Sequence, residues 1–227
     1  MNRLAHLVFP LTIALAACQA SSDPDLDQTG ERPELPEQND ALVPAMEIPT
    51  PEGAPKRPLS PYGVTKLSGE YYLHYYQTIH GLEYVALRYS NVFGPRQDPH
   101  GEAGVVAIFC ERLQSGEQLT IFGDGEQTRD YVFVKDVVSA NLLASDVPLT
   151  PEPNIDAVAF NVGTGVPTSV NRLADVLEGI SQKNPGRVYR EERAGELRHS
   201  TLDVSRFAER GWAAQHTLEE GLQDRKN

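Results

Sequence analysis

Glycine is nearly absent from the opening of this chain. Residues 1–60 of the 227 contain only Gly30 and Gly53. No turn of the GxxGxxG type, which lets a backbone approach a pyrophosphate at a helix start, can be drawn there. Cysteine is scarce as well. Cys18 and Cys110 are the only two, which excludes a disulfide scaffold. Basic residues are outnumbered, 20 Lys and Arg against 32 Asp and Glu, and the net charge of −12 argues against general nucleic-acid binding. The six histidines show no metal-ligand spacing, so no metal site is expected. The apolar run from Leu7 to Ala17 is interrupted by Pro10 and is too short for an ordinary membrane span of about 20 residues.

What is present divides the chain in three. Residues 1–18 read as a lipoprotein-type signal peptide. Arg3 supplies the positive start, Leu7 to Ala17 the apolar run, and Leu15-Ala16-Ala17-Cys18 fits the lipobox whose cysteine becomes lipidated. Cys18 is therefore the candidate membrane anchor; the alternative is a leader with no export role. Residues 19–54 hold nine acids and one arginine. Rich in proline and without a periodic apolar face, they read as an acidic, disordered linker, unable to bury enough surface to offset chain entropy.

Residues 55–227 alternate helical and strand patterns. Ser60 and Pro61 suit the cap and first turn of a helix running to about His80. "EYVALRY" reads as a buried strand, "GVVAIFCERLQSG" as a helix stopped by Gly116, and "KDVVSANLLAS" as another helix. "LTIFGDGEQTRDYVFV" reads as two strands around a Gly-Asp-Gly turn, with a plain hairpin as the simpler alternative. "VAFNVGTG" is a strand ending in glycines, with Ser169 capping the helix that follows. Cys110 falls on an apolar helical pattern and reads as core. The alternation predicts an α/β fold with parallel strands.

Within the first helix, Tyr62 and Lys66 are four residues apart and so share a face. A tyrosine with a pKa near 10 is a poor base at neutral pH, but a close ammonium favours the phenolate. Such a pair can serve as a positioned general base. The spacing alone is unspecific, because Tyr131 and Lys135 repeat it in "YVFVK". The bland reading of either pair is a tyrosine against the core beside a solvated lysine.

Taken in order, "RPLSPYGVTKLSGEYY", "LRYSNVFGPRQ", "LTIFGDGEQTRDYVFVKDVV", "FNVGTG" and "ERAGELRHSTLD" resemble the extended short-chain dehydrogenase/reductase family. Within it they are most similar to the NAD-dependent nucleotide-sugar epimerases of the UDP-glucose 4-epimerase type. The resemblance covers residues from about 50 to 225. It implies the late strands of a doubly wound, Rossmann-like fold plus the substrate-binding α/β subdomain, over residues 55–227. By the same resemblance, Tyr62 takes the proton from a sugar hydroxyl and Lys66 lowers its pKa and bonds the nicotinamide ribose. NAD is the implied cofactor, with Tyr89 and Ser90 passing its nicotinamide. Asn91 lies near the substrate diphosphate, Thr120 and Phe122 hold the uracil by their backbone, Arg129 and Arg193 bind the diphosphate, and Glu196 faces the ribose. The chemistry suits the arginines, whose forks match phosphate oxygens. For each arginine the simpler reading is a surface salt bridge, and for Asn91 a turn-forming residue. A UDP-sugar is the implied substrate and a homodimer through the Tyr62–His80 helix the implied assembly.

The chain departs from that pattern at its start. Signal and linker stand where the family has a strand, a glycine-rich turn and a helix. Near position 37, about 25 residues before Tyr62, the sequence reads "ELPEQND", without the family's catalytic Ser or Thr. The fold expected is thus incomplete, with one edge of "EYVALRY" and one face of the tyrosine helix lacking partners. The chain alone is expected to be inactive and to bind NAD poorly. Three alternatives stand beside the epimerase reading: a non-catalytic nucleotide-sugar-binding remnant, a lipid-anchored surface protein, and a nucleotide-sugar dehydratase or decarboxylase relative. The leader points outside the cytoplasm and the chemistry points inside it.

Overall fold

The computed structural model describes residues 7–11, 47–58, 61–100, 104–148, 153–193 and 197–224. Cys18, Ser60, Glu196 and most of the expected linker lie outside the described residues. In chain order the elements begin with β1 (Leu7–Leu11), α1 (Pro61–His80), β2 (Tyr84–Tyr89), β3 (Asn91–Phe93) and α2 (Val105–Ser115). There follow β4 (Leu119–Phe122), β5 (Thr128–Phe133), α3 (Val134–Ala144), β6 (Ala159–Val162), β7 (Pro167–Ser169) and α4 (Val170–Ser181). The chain closes with β8 (Arg187–Arg190), β9 (His199–Ser200), α5 (Ser205–Ala208) and α6 (Leu218–Gln223).

The helix signals in the sequence act where expected. Pro61 opens α1, where its fixed φ fits and no N–H is missed. Gly116 ends α2 at φ 73, and Glu117 N–H closes on Arg112 O at 2.9 Å. The Ser169 hydroxyl accepts from Arg172 N–H at 3.1 Å at the start of α4. A signal the sequence reading did not use, Thr217 and Glu220, forms a reciprocal capping box on α6.

Strand β2 lies between β1 and β6 in a wholly parallel sheet, with Leu7 opposite Tyr84 and Ala86 opposite Ala159. Every residue of β2 is buried, as expected of a parallel strand covered on both faces. Its side chains alternate strictly. Tyr84 and Ala86 cluster with Leu73 of α1, whereas Val85, Leu87 and Tyr89 cluster with Val137, Ala140 and Ala144 of α3. Helices α1 and α3 therefore cover opposite faces, which is the doubly wound arrangement. The expectation of an unpaired edge on "EYVALRY" is corrected: β1, drawn from the stretch read as leader, occupies it. Among the described residues nothing covers one outward face of α1, where Tyr71, Tyr72, Tyr75, Tyr76 and Ile79 are exposed.

A second core joins β3, β4, β5, α2, α4 and α6 around Phe93, Phe109, Phe133, Leu173 and Leu222. Cys110 packs against it, half-buried. A Cβ at Gly221 would press on Phe93 and Phe133, so glycine there lets α6 close on the aromatic layer. The two strands flanking the Gly-Asp-Gly turn do not form a hairpin. β4 runs parallel to β8, while β5 pairs with β3 and β9 in parallel and β7 in antiparallel fashion. Gly123 and Gly125, at φ 70 and 79, turn the chain from one sheet into another.

Candidate active site

Residues 62, 66 and 70 recur at four-residue spacing along α1 and so project from one side of it. Glu70 is fully buried. Arg88 of β2 grips it with a fork, Nε–H to Oε1 at 2.8 Å and Nη2–H to Oε2 at 2.6 Å. The same guanidinium donates to Glu52 O at 2.7 Å and to Asp156 Oδ1 at 2.7 Å. Lys56 joins through Asp156 and Ala54 O. Burial lowers the Lys56 pKa, and the Arg88 charge adds to this against the pull of Asp156. Burial alone would raise the Asp156 carboxyl, but hydrogen bonds from Lys56 and Arg88 outweigh it and hold the pKa down. Glu52, also buried, accepts from Asn161 N–H of β6 at 2.8 Å. The segment preceding α1, α1 itself, β2 and β6 are thus tied at one hub.

On the same side of α1, one turn before Glu70, Lys66 sits with its Nζ 5.1 Å from the Tyr62 ring centroid. Both side chains are half-buried. The other pair with this spacing is taken apart by secondary structure: Tyr131 ends up buried on β5, and Lys135, exposed on α3, bridges to Asp224 at 2.6 Å.

At the exit of β2 the three consecutive candidates diverge. The ring of Tyr89 is buried on the α3 side, and its hydroxyl is held by Asn141, which donates from Nδ2 at 2.8 Å. Burial raises its pKa. Tyr89 can offer a ligand only its main chain. Ser90 is buried, and its hydroxyl has no hydrogen-bond partner among the described residues. It borders Gly163, where an added Cβ would overlap the Asp130 carboxylate. Asp130 accepts from Thr164 N–H at 2.8 Å, Thr164 Oγ1–H at 2.7 Å and Gly165 N–H at 3.0 Å. Burial nevertheless pushes its pKa up. Asn91 starts β3 opposite Tyr131, two residues along β5 from the buried Arg129.

The remaining candidates line the β4 side. Thr120 Oγ1 accepts from Arg112 at 3.0 Å. The Arg193 guanidinium carbon stands 3.9 Å over the centroid of the half-buried Phe122 ring. Arg129 donates to Thr128 O at 2.8 Å. Among the described residues no group of His, Cys, Asp and Glu could hold a metal ion, and no helix is long and apolar enough to cross a membrane. Sequence reasoning missed the Glu52–Glu70–Arg88–Asp156 hub and the Phe122–Arg193 stack. The available signal was a lone arginine inside the apolar run "EYVALRY", four residues' spacing from Lys66 to Glu70 being the other half of it.

The model of the NAD dependent epimerase/dehydratase family matches residues 39–163. The chain belongs to that family. A UDP-glucose 4-epimerase of Mycolicibacterium smegmatis is 46% identical over 175 residues, 77% of this chain and 54% of the relative. A crystal structure of a Thermotoga maritima UDP-glucose 4-epimerase with UDP-glucose superposes at a TM-score of 0.72 and 49% identity, covering 77% of this chain and 55% of that one. A Thermus thermophilus UDP-glucose 4-epimerase in complex with NAD gives a TM-score of 0.71 and 38% identity, covering 81% and 58%. The chain thus spans about half the length of the relatives it matches.

A nicotinamide dinucleotide fits the described residues at one end. Tyr62 and Lys66 bring a phenol and an ammonium together that could meet a ribose, and Ser90 holds a buried hydroxyl without a partner among the described residues. Among the described residues no strand runs through a GxxGxxG turn into a helix, so a pyrophosphate finds no cradle of that kind.

Proposed function

We propose that this chain carries the base and the nucleotide-binding side of a UDP-sugar 4-epimerase. The observation that carries the reading is the Tyr62–Lys66 pair, held on one side of α1 with Lys66 Nζ 5.1 Å from the tyrosine ring. Tyr62 accepts the proton of the sugar hydroxyl, and later returns it to the opposite configuration. Lys66 supplies the positive charge that favours the phenolate and bonds the nicotinamide ribose. A bound NAD would supply a hydride acceptor and donor, which would make the net change an isomerisation. Phe122 and Thr120 receive the uridine end, Arg193 and Arg129 the diphosphate, with Asn91 beside it and Glu196 at the ribose.

The assembly proposed is a homodimer. Val64, Tyr71, Tyr72, Tyr75, Tyr76 and Ile79 expose one apolar face of α1, and a second copy of that face is its self-complementary cover. Cys18 is proposed as the lipidated residue of the leader, which mass spectrometry of the mature protein would show as a diacylglyceryl group.

The Arg193 guanidinium over the Phe122 ring, which joins a phosphate-matching fork to an aromatic face, suits a second reading as well, in which the chain binds nucleotide sugar without turning it over. The test is to incubate the full chain with UDP-glucose and NAD⁺ and follow UDP-galactose by chromatography. Turnover that Tyr62→Phe abolishes supports catalysis. UDP binding without turnover supports the second reading. Absence of UDP binding in calorimetry at millimolar ligand overturns both.

A further inference from the structure

We infer that Arg88 is a positioning residue for the Tyr62–Lys66 pair: by taking both oxygens of Glu70, it keeps that carboxylate from capturing the Lys66 ammonium. The inference rests on the reading of this pair as the base and deepens it. On α1, Lys66 stands between two possible partners, Tyr62 one turn before it and Glu70 one turn after. Helical side chains lean toward the start of their helix. Lys66 thus leans on Tyr62, and Glu70, left to itself, leans on Lys66. A lysine and a glutamate four residues apart attract each other along a helix. An ammonium shared with a carboxylate has less to give a phenolate.

The observed allocation is different. Glu70 is fully buried, with its Oε1 2.8 Å from Arg88 Nε and its Oε2 2.6 Å from Nη2. Lys66 Nζ lies instead 5.1 Å from the Tyr62 ring centroid. Arg88 reaches Glu70 from β2, on the alternation that also aims Tyr84 and Ala86 at α1. The Glu52 carbonyl and Asp156 fix the same guanidinium, and Lys56 pairs with Asp156. The charged and titratable groups around Glu70 are thus Arg88, Asp156, Lys56 and Tyr84, and of these Arg88 alone forks onto it. The fork draws the carboxylate toward the sheet and away from the lysine one turn back.

The test reads the Tyr62 phenol itself. The full chain, with tyrosine labelled at the ring carbon that bears the hydroxyl, is titrated into alkali by NMR, and Tyr62→Phe identifies the signal. Lys66→Met should raise the Tyr62 pKa by about one pH unit, the effect of losing a half-buried ammonium. Arg88→Met should raise it by about half a unit to one unit, because the freed carboxylate takes the ammonium. Arg88→Met combined with Glu70→Leu should return it to the wild-type value. In a Lys66→Met background, Arg88→Met should add nothing measurable. Arg88→Lys keeps the charge without the fork and should give a smaller rise; it decides the matter if Arg88→Met does not fold. Arg88 variants that leave Tyr62 where it was overturn the inference. A rise that survives in the double variant or in the Lys66→Met background overturns it too, since Arg88 would then act by its own field or by seating the helix. A Tyr62 pKa indifferent to Lys66→Met overturns the reading of the pair as the base, and this inference with it.

Discussion

The two sides of α1 invert the usual rule for a surface helix. The side against the sheet buries Glu70 and Gln77 beside Leu73, while the side toward solvent shows four tyrosines, Val64 and Ile79. Glu70 is 0% exposed and Tyr72 69%. An amphipathic helix normally turns its apolar stripe inward. Here the inner side is held by a charge network, whose geometry is specific, and the outer side carries apolar area that the described residues leave uncovered. The inner side therefore fixes where Tyr62 and Lys66 stand, and the outer side is available to a partner. Four measurements can break or sharpen this contrast.

The largest effect is expected from the inner side. Removing one member of a buried ion pair leaves the other uncompensated and costs about 3–5 kcal/mol. Glu70→Leu should lose about that much in urea denaturation, since Arg88 would keep only Asp156 and the Glu52 carbonyl. Glu70→Leu combined with Arg88→Met should recover much of the loss, because apolar replacement of a whole buried pair is often close to neutral. If the single and double variants unfold alike, the network is not what seats the helix.

That network also marks how far the sequence could be read. Helices α1 to α4 and strands β2, β4, β5 and β6 follow from local signals that act within a few residues: Pro61, Gly116, Ser169 and the period-two or period-3.6 apolar patterns. The family was legible because several motifs appear in a fixed order, and the family match bears it out. The hairpin alternative failed because strand partners are chosen by tertiary packing, and nothing local says that β4 pairs with β8, Leu119 opposite Arg187. β1 beside β2 was missed for the same reason, and because its residues also spell a leader. The hub was illegible in detail because Glu52, Glu70, Arg88 and Asp156 are spread over a hundred residues and meet only in the folded chain. The Tyr62–Lys66 contact was legible, since both residues lie on one helix. Its twin at Tyr131 and Lys135 shows that the spacing means nothing until the element is known.

Tyr84 borders the hub from β2, fully buried and with no hydrogen-bond partner for its hydroxyl among the described residues. Burial, with Glu70 adding to it, pushes its pKa up from 10.0 to about 12. The folded pKa is the higher one, so the stability tied to the neutral phenol is complete below the unfolded value near 10. It is lost as pH rises through about 12. Two pKa units correspond to roughly 2–3 kcal/mol. Tyr84→Phe should flatten the alkaline limb of a stability profile between about pH 10 and 12 and leave neutral stability unchanged or up by about 1 kcal/mol. A variant that still loses stability steeply in that window would place the alkaline transition elsewhere.

Asp156 gives a smaller effect at the other end of the scale. Its pKa is held below the ordinary carboxyl value of 3.8. Its contribution is therefore present above the unfolded pKa and disappears as pH falls through the lower folded one. Asp156→Asn should soften the acid limb below about pH 4 and change little above it beyond a uniform loss. An acid limb identical in both proteins would mean that Lys56 and Arg88 find other partners.

The outer side of α1 should matter least to the folding of a single chain and most to its company. Tyr72, the most exposed of the row, reaches toward solvent from a helix whose seat lies on the other side. Exposed substitutions away from special features usually change stability by no more than about 0.5 kcal/mol. Tyr72→Glu should therefore leave the denaturation midpoint of a dilute sample nearly unmoved. In sedimentation the wild type should run as a dimer, and the variant should shift toward monomer, because two copies of a self-complementary face would bring two new carboxylates together in an apolar contact. Helix α3 supplies the internal control. Its exposed Val138 and Leu142 lie on the opposite face of the sheet from α1, so Leu142→Glu should leave a dimer formed through α1 intact. Loss of the dimer in the α3 variant alone would move the interface to that side and leave the tyrosine row without a partner.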